Sequence, residues 1–373
     1  MSDRVLNVAL DGTPLLGRRT GVGRYTEHLI TALVQRADVR ISVLAITLRG
    51  ARELRSAVPP QVRRRTRSVR FSARAMQMAW SRWNFPPVGL LTRGLDVYHG
   101  TNFVLPPLGR LGGVVMIHDI AYLTLPDVVD DASRRLRTLV PDALRRAAVV
   151  VTPSQTTADR VREAYPDIAP EIVPTPLGVQ PSWLQAAPPT VADRRRLALP
   201  DDYFLFVGTR EPRKDLPTLV AAYRALRDAA GSEVPTLLLV GPPGWGPDLL
   251  SAPGVQVHDY AAAGDLETIV AGARVLVMPS RDEGFGLPAL EALAAGTPVI
   301  VSDIPALREV TGDQASAVFP VGDVEALASA LADVLGAPGD DPERREQRRA
   351  YAAGWTWARC ADRTVQAYRI AAG

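Results

Sequence analysis

Apolar residues occur along this chain in short unbroken blocks, separated by longer segments in which they recur every three or four positions. The blocks VLNVAL (5–10), ISVLAI (41–46), DVYHG (96–100), VVMIHD (114–119) and AVVVTPS (148–154) are continuous rather than alternating. That is the pattern of strands buried on both faces. Between them, Arg24 to Gln35, Ser133 to Ala147 and Thr156 to Tyr165 read as helices. Strands that alternate with helices predict parallel βαβ units. TPLGVQPSWLQAAPPTVADRRR (175–196), rich in proline and small residues, reads as a linker. Alternation then restarts, with strands at YFLFVG (203–208), TLLLVG (236–241), VLVMPS (275–280) and PVIVSD (298–303), and helices at Leu216 to Ala229 and Leu287 to Ala295. In GWTWARCADRTVQAYRI (354–370), Trp357, Ala361, Thr364, Val365 and Tyr368 fall at helical spacing, so a terminal amphipathic helix must pack on something.

The expected fold is α/β: two Rossmann-like doubly wound parallel-sheet domains facing across a cleft. The expected domains are 1–180, 181–353 and a helix at 354–373 that crosses back to the first domain. Ligands are expected beyond the carboxyl ends of the strands.

Composition narrows the picture modestly. A chain of 373 residues suits two cores, and 47% hydrophobic with 22% charged residues is globular usage. The single cysteine, Cys360, excludes an internal disulfide and reads as a buried structural thiol. No apolar run reaches the ~20 residues of a membrane helix. The start, MSDRVLNVALDG, lacks the basic-then-apolar order of a signal peptide, so the expected location is cytoplasmic. Charge is uneven. Residues 1–180 carry 25 basic and 15 acidic side chains, and the remainder 18 and 25. A basic front half points to an anionic partner or simply to solubility.

The most informative stretch is RDEGFGLPALEALAAGTPVI (281–300), where Glu283 and Glu291 flank a glycine turn at the mouth of a helix. Gly284 and Gly286 let a backbone approach a ligand. Helix N-terminal amides and the dipole favour an anion such as phosphate, while carboxylates accept hydrogen bonds from hydroxyls. A ligand with both groups is a nucleotide sugar. A capped junction with two solvated acids is the alternative, and spacing alone leaves it open. TGVGRYTEHL (20–29) is a glycine turn opening a helix, but Thr26 stands where a dinucleotide fingerprint wants a third small residue. VVMIHDI and DVYHGTN place His118 and Asp119, and His99, Thr101 and Asn102, at strand carboxyl ends.

Residues Arg63 to Arg82 hold seven arginines and no acid, with Met76, Trp80 and Trp83 at helical spacing. This segment, 63–83, could rest on an anionic membrane surface. The alternative is a domain helix with tryptophans in the core and arginines in water. No nucleic-acid module accompanies the basic residues.

EGFGLPALEALAAGTPVIVSDIPALREV (283–310) resembles the E-x7-E segment of family 4 glycosyltransferases, retaining enzymes of the GT-B fold. GVGRYTEHL, DVYHGTNFVLPP, IHDI and FVGTREPRKDLPTL agree with that family in order, so the resemblance spans nearly the whole chain. It implies that Glu283, with the amides of Gly284, Phe285 and Gly286, holds the donor sugar, and that Glu291 holds the nucleotide ribose. Lys214 resembles the lysine that meets the donor diphosphate. It is the one lysine beside 42 arginines, and an ammonium is not interchangeable with a guanidinium. Many family members have an arginine directly after the glycine of the VG pair. Here Thr209 follows, so Arg213 rather than Arg210 is expected beside Lys214 at the diphosphate.

Gly21, Gly23, Gly286 and Leu287 are implied at the phosphates. His118 resembles the active-site histidine, and together with Glu283 it is the catalytic expectation. His99, Thr101, Asn102, Asp119, Arg24 and Tyr25 are implied acceptor contacts. No metal and no cofactor are expected beyond the nucleotide-sugar donor. GDP-mannose is the first expected donor, with UDP-glucose-type and dTDP-rhamnose-type donors open. The acceptor is expected to be a glycan or polyprenyl-linked lipid, met by a cytoplasmic enzyme peripheral to the inner face of the plasma membrane. The competing readings are a nucleotide-sugar epimerase, a pyridoxal-dependent phosphorylase with Lys214 as its Schiff base, and a non-catalytic nucleotide-sugar binder.

Overall fold

All nine apolar blocks become strands in the computed structural model, which describes residues 4–17, 21–90, 92, 94–168, 170–245, 252–337, 339 and 341–373. The first sheet contains β1 (Leu6–Asp11), β2 (Val39–Ile46), β3 (Thr66–Val69), β4 (Val97–Gly100), β5 (Gly112–Met116), β6 (Val149–Thr152) and β7 (Glu171–Pro174). The second contains β8 (Tyr203–Val207), β9 (Thr236–Val240), β10 (Val255–His258), β11 (Val275–Met278), β12 (Val299–Ser302) and β13 (Ala317–Phe319). Every pairing is parallel, and the orders are β3-β2-β1-β4-β5-β6-β7 and β10-β9-β8-β11-β12-β13. Each is a doubly wound sheet whose direction of growth reverses once, between β1 and β4 in one and between β8 and β11 in the other. Strand ends separate at such a reversal and leave room for a ligand.

The central strands are apolar throughout because helices cover both faces. All five residues of β8 and all four of β11 are buried. The core of the second unit joins Phe204, Phe206, Leu219, Tyr223, Leu237, Val277 and Ile300. That of the first unit joins Ala9, Tyr98, Val115, Tyr122, Leu144, Val150 and Val161.

The chain divides into two units: residues 1–123, 131–178 and 356–373 form one, and residues 124–130 and 179–355 the other. The terminal helix, Trp357–Ala372, buries Trp357, Cys360, Ala361, Thr364, Val365, Ala367 and Tyr368 within the first unit. A Cβ on Gly112 would stand 2.0 Å from the Ala371 carbonyl oxygen, so only glycine lets helix and strand approach this closely. Cys360 is buried, its thiol pushed up to about 12 by burial. The stretch read as a linker is not structureless. It holds short helices at Pro181–Leu184 and Val191–Leu197, the second closed by a capping box between Thr190 and Asp193. Segment 124–130 belongs to the second unit, where the Thr124 hydroxyl donates to Asp282 (3.0 Å) and the Trp245 indole donates to the Val128 carbonyl (3.0 Å).

Candidate active site

In the second unit the loops leaving β8 and β11, the two strands at the reversal, converge. The β8 loop turns through Pro212–Lys214 and the β11 loop carries Ser280 to Gly286. They are stitched together by the Arg281 amide donating to the Arg213 carbonyl (2.9 Å) and by an Arg281–Asp215 ion pair (3.1 Å). Lys214 and Glu283 are both buried, and the Lys214 ammonium donates directly to Glu283 Oε1. Ser280 Oγ donates to the same oxygen at 2.7 Å, and Arg213 Nη1 to Oε2 at 3.0 Å. Arg213 also donates to the Asp282 carbonyl (2.6 Å) and, through Nη2, to Glu211 (2.6 Å). Burial pushes the Glu283 carboxyl up, but Lys214 and Arg213 outweigh it and hold it at about 2. Two cations and two carboxylates are thus concentrated where a parallel sheet opens.

Arg210 turns elsewhere. It donates to the Gly241 carbonyl (2.7 Å) and to Asp259 (2.9 Å), whereas Arg213 joins Lys214. Behind the cluster, Ser302 Oγ donates to the Ser280 carbonyl and ties β12 to the loop.

Directly after Glu283 the backbone turns at Gly286 (φ 101°), and the Leu287–Ala295 helix begins with Pro288 in its first turn. A Cβ on Gly286 would meet Leu307 Cδ2 at 2.5 Å, so both the turn and the packing require glycine. Every residue of this helix except Pro288 is buried, including Glu291. It is a core helix whose start is aimed by the glycine turn. Phe285 is buried, edge-on to Trp355 at 5.7 Å between ring centres.

In the first unit, the ends of β1, β4 and β5 lie side by side. His118 Nε2 donates to the Thr101 carbonyl (2.9 Å), which leaves Nδ1 as the acceptor of the neutral ring. Burial lowers the His118 pKa, against the opposing effects of the Thr101 carbonyl and Asp119. The rings of Tyr25 and Phe103 stand edge-on to it at 5.2 and 5.5 Å. Asp119 Oδ1 accepts from the Ala121 amide (3.0 Å). Asn102 is exposed. Gly21, Gly23 and Arg24 begin the Gly21–Leu33 helix, with Gly23 buried. Residues 18–20, including the threonine that opens TGVGRY, lie outside the described residues.

Three expected acceptor contacts need correction. His99 is buried, its Nδ1 paired with the Tyr368 hydroxyl (2.8 Å), and burial with the nearby His118 holds it neutral, its pKa lowered to about 3. Thr101 is buried and donates to the Asp11 carbonyl (2.8 Å). Tyr25 is buried in the helix interior. All three side chains are packed inside the first unit rather than open to a ligand. They shape the ground behind His118. Conversely, Glu211 and Ser280, not singled out in the sequence, join the Lys214–Arg213–Glu283 cluster. Both lie inside the recognised motifs, so adjacency to Lys214 and Glu283 was the available signal.

The arginine-rich segment is half as expected. Met76 is buried, and Trp80 turns inward to donate to the Pro86 carbonyl (3.0 Å), so these two belong to the domain. On the opposite face of the Ala73–Trp83 helix, Arg74, Met78 and Arg82 form an exposed i, i+4, i+8 stripe. Phe71 (45% exposed), Met78 (65%), Trp83 (70%) and Phe85 (58%), on the helix and at its two ends, stand in solvent. Among the described residues, no helix is long and apolar enough to cross a membrane.

Comparisons with known proteins bear on the family and the fold. Residues 19–183 match the model for "Glycosyltransferase Family 4", and residues 201–337 the model for "Glycosyl transferases group 1". The chain is 33% identical over 290 residues to the O-antigen chain mannosyltransferase B of Escherichia coli, covering 74% of each chain. It is 33% identical over 230 residues to the D-inositol 3-phosphate glycosyltransferase of Kineococcus radiotolerans, covering 54% of this chain and 52% of that protein. The chain thus spans about half the length of that second relative. Among solved structures it resembles the sucrose-phosphate synthase of Thermosynechococcus elongatus (TM-score 0.74, 20% identity, 98% of each chain). It also resembles WaaG, a glycosyltransferase involved in lipopolysaccharide biosynthesis (TM-score 0.68, 17% identity, 97% of this chain and 99% of that one). At these identities the structural likeness establishes the GT-B fold.

Proposed function

Since this chain belongs to glycosyltransferase family 4, we propose that it moves a hexose from a nucleotide sugar to a glycan or polyprenyl-linked lipid with retention of configuration and without a metal. The observation that carries the donor assignment is the Lys214–Arg213–Glu283 cluster at the β8/β11 reversal, directly before the amide-rich start of a helix. Lys214, Arg213 and the turn at Gly286 and Leu287 take the diphosphate. Glu283, Gly284 and Phe285 take the sugar, and Glu291 the ribose.

As the bond to the diphosphate breaks, negative charge grows on the leaving oxygen, and preorganised cations stabilise that change more than they stabilise the ground state. The departing phosphate oxygen takes the acceptor's proton, and the acceptor attacks the face the diphosphate leaves. His118, fixed by the Thr101 carbonyl, offers an acceptor nitrogen for the reaction, while Asp119, Asn102 and Arg24 serve the acceptor. GDP-mannose is the first donor to try, supported by the likeness to the mannosyltransferase. The stripe of Arg74, Met78 and Arg82, with Phe71, Trp83 and Phe85, would rest on anionic lipid at the cytoplasmic face.

The test is a screen of nucleotide hexoses for nucleoside diphosphate release, with the anomeric configuration of any product read by NMR. Turnover of one donor, lost in Glu283→Gln, is expected. Absence of turnover with every hexose donor and every lipid or glycan acceptor offered would sink the reading.

A further inference from the structure

We propose that Glu283 is also the enzyme's own rival to the donor diphosphate, occupying its cations when the sugar is gone and thereby speeding release of the nucleoside diphosphate. The inference rests on the donor reading above and adds a second task for the same carboxylate. Both oxygens of Glu283 are engaged within the protein: Oε1 by Lys214 and by Ser280 (2.7 Å), Oε2 by Arg213 (3.0 Å). The groups that would hold a diphosphate are therefore satisfied by an internal anion. Lys214 and Glu283 are buried, so neither charge is well screened by water.

Lys214 and Arg213 already face two carboxylates, Glu283 and Glu211. An incoming diphosphate must displace a carboxylate or face its repulsion. Glu283 is the one that can move with a purpose, because sugar hydroxyls offer it replacement donors. After transfer those hydroxyls leave with the product. Glu283 then returns to the cations and weakens the hold on the remaining nucleotide. Glu211 stays on Nη2 of Arg213 (2.6 Å), keeping Nη1 toward Glu283, and is a positioning residue.

Calorimetry with GDP and UDP on wild type, Lys214→Ala, Glu283→Gln and the double variant tests this. Lys214→Ala should weaken binding about tenfold or more, the scale of one charge-assisted hydrogen bond. Glu283→Gln should tighten it by about tenfold on the same scale and slow dissociation in stopped flow. In the Lys214→Ala background the gain from Glu283→Gln should shrink. Unchanged binding in Lys214→Ala overturns the donor reading itself. Weakened binding there, with no tightening in Glu283→Gln, overturns only the rivalry. Thermal unfolding checks that each variant folds. If Glu283→Gln does not, Glu283→Asp, which shortens the reach by one methylene, carries the same comparison: tightening supports the proposal and unchanged affinity overturns it.

Discussion

Glu283 shows how a single side chain can be fixed by opposing forces. Burial alone would raise its pKa, and the adjoining cations bring it to about 2 instead of the ordinary 4.5. A carboxylate with a lowered native pKa contributes stability that is complete above its unfolded value and lost as pH falls toward its folded one. Wild type should therefore lose more stability than Glu283→Gln between about pH 4.5 and pH 2, measured by denaturant unfolding across that range. His99 works in the same direction over a higher window. Its native pKa of about 3 lies below the ordinary 6.5, so its contribution is whole above 6.5 and falls as the medium is acidified toward 3. Gly286→Ala should cost about 1–3 kcal/mol by chemical denaturation, since alanine would be strained at φ 101° and would press on buried Leu307. That Glu283, Lys214 and Arg213 belong together was legible because a glycine turn, a unique lysine and a motif marked them, and the structure brings the three side chains into one cluster. His99 and Tyr25 were misjudged because strand-end position and helix-start position say nothing of which way a side chain turns.

At the scale of elements, the strands legible in the sequence are the interior ones. The four that were not read, β3, β7, β10 and β13, are the outermost strands of the two sheets. Their burial is partial, as in TRSV of β3 and VQVH of β10. Edge strands lack a neighbour on one side and can carry polar residues that discourage pairing with another chain, so TRSV and VQVH show no continuous apolar run, while β13, AVF, is only three residues long. The Leu287–Ala295 helix was legible to the residue because Pro288 and Gly296 bracket it. The terminal helix was legible as amphipathic, but the surface it covers was not written in its own periodicity. It covers strands of the first unit. Deleting residues 356–373 should lower the unfolding temperature of that unit while leaving the transition of the second. Calorimetry would show this as one shifted and one retained transition.

At the scale of the whole molecule, seven of the arginines of the basic first half fall between Arg63 and Arg82 without an acid among them, in a segment that also exposes Phe71 and Met78. Electrostatic attachment of this kind weakens with salt, while insertion of Trp83 and Phe85 does not. Co-sedimentation with vesicles containing anionic lipid should fall when Arg74 and Arg82 become glutamine, and fall again when Trp83 and Phe85 become serine. Equal binding to neutral vesicles and insensitivity to the four substitutions would remove the membrane from the account. Arg63, Arg64 and Arg65 become glutamine in a second set, which asks whether the preceding turn shares the contact.

Cys360 carries the only sulfhydryl of the chain, and it sits on the buried face of the terminal helix with its thiol directed at the Thr175 carbonyl (3.5 Å). Alkylating reagents reach it only when that helix lifts away. The molecule therefore contains its own stopwatch for local opening: the rate of modification by iodoacetamide, followed by mass, counts detachments of the helix without any introduced label.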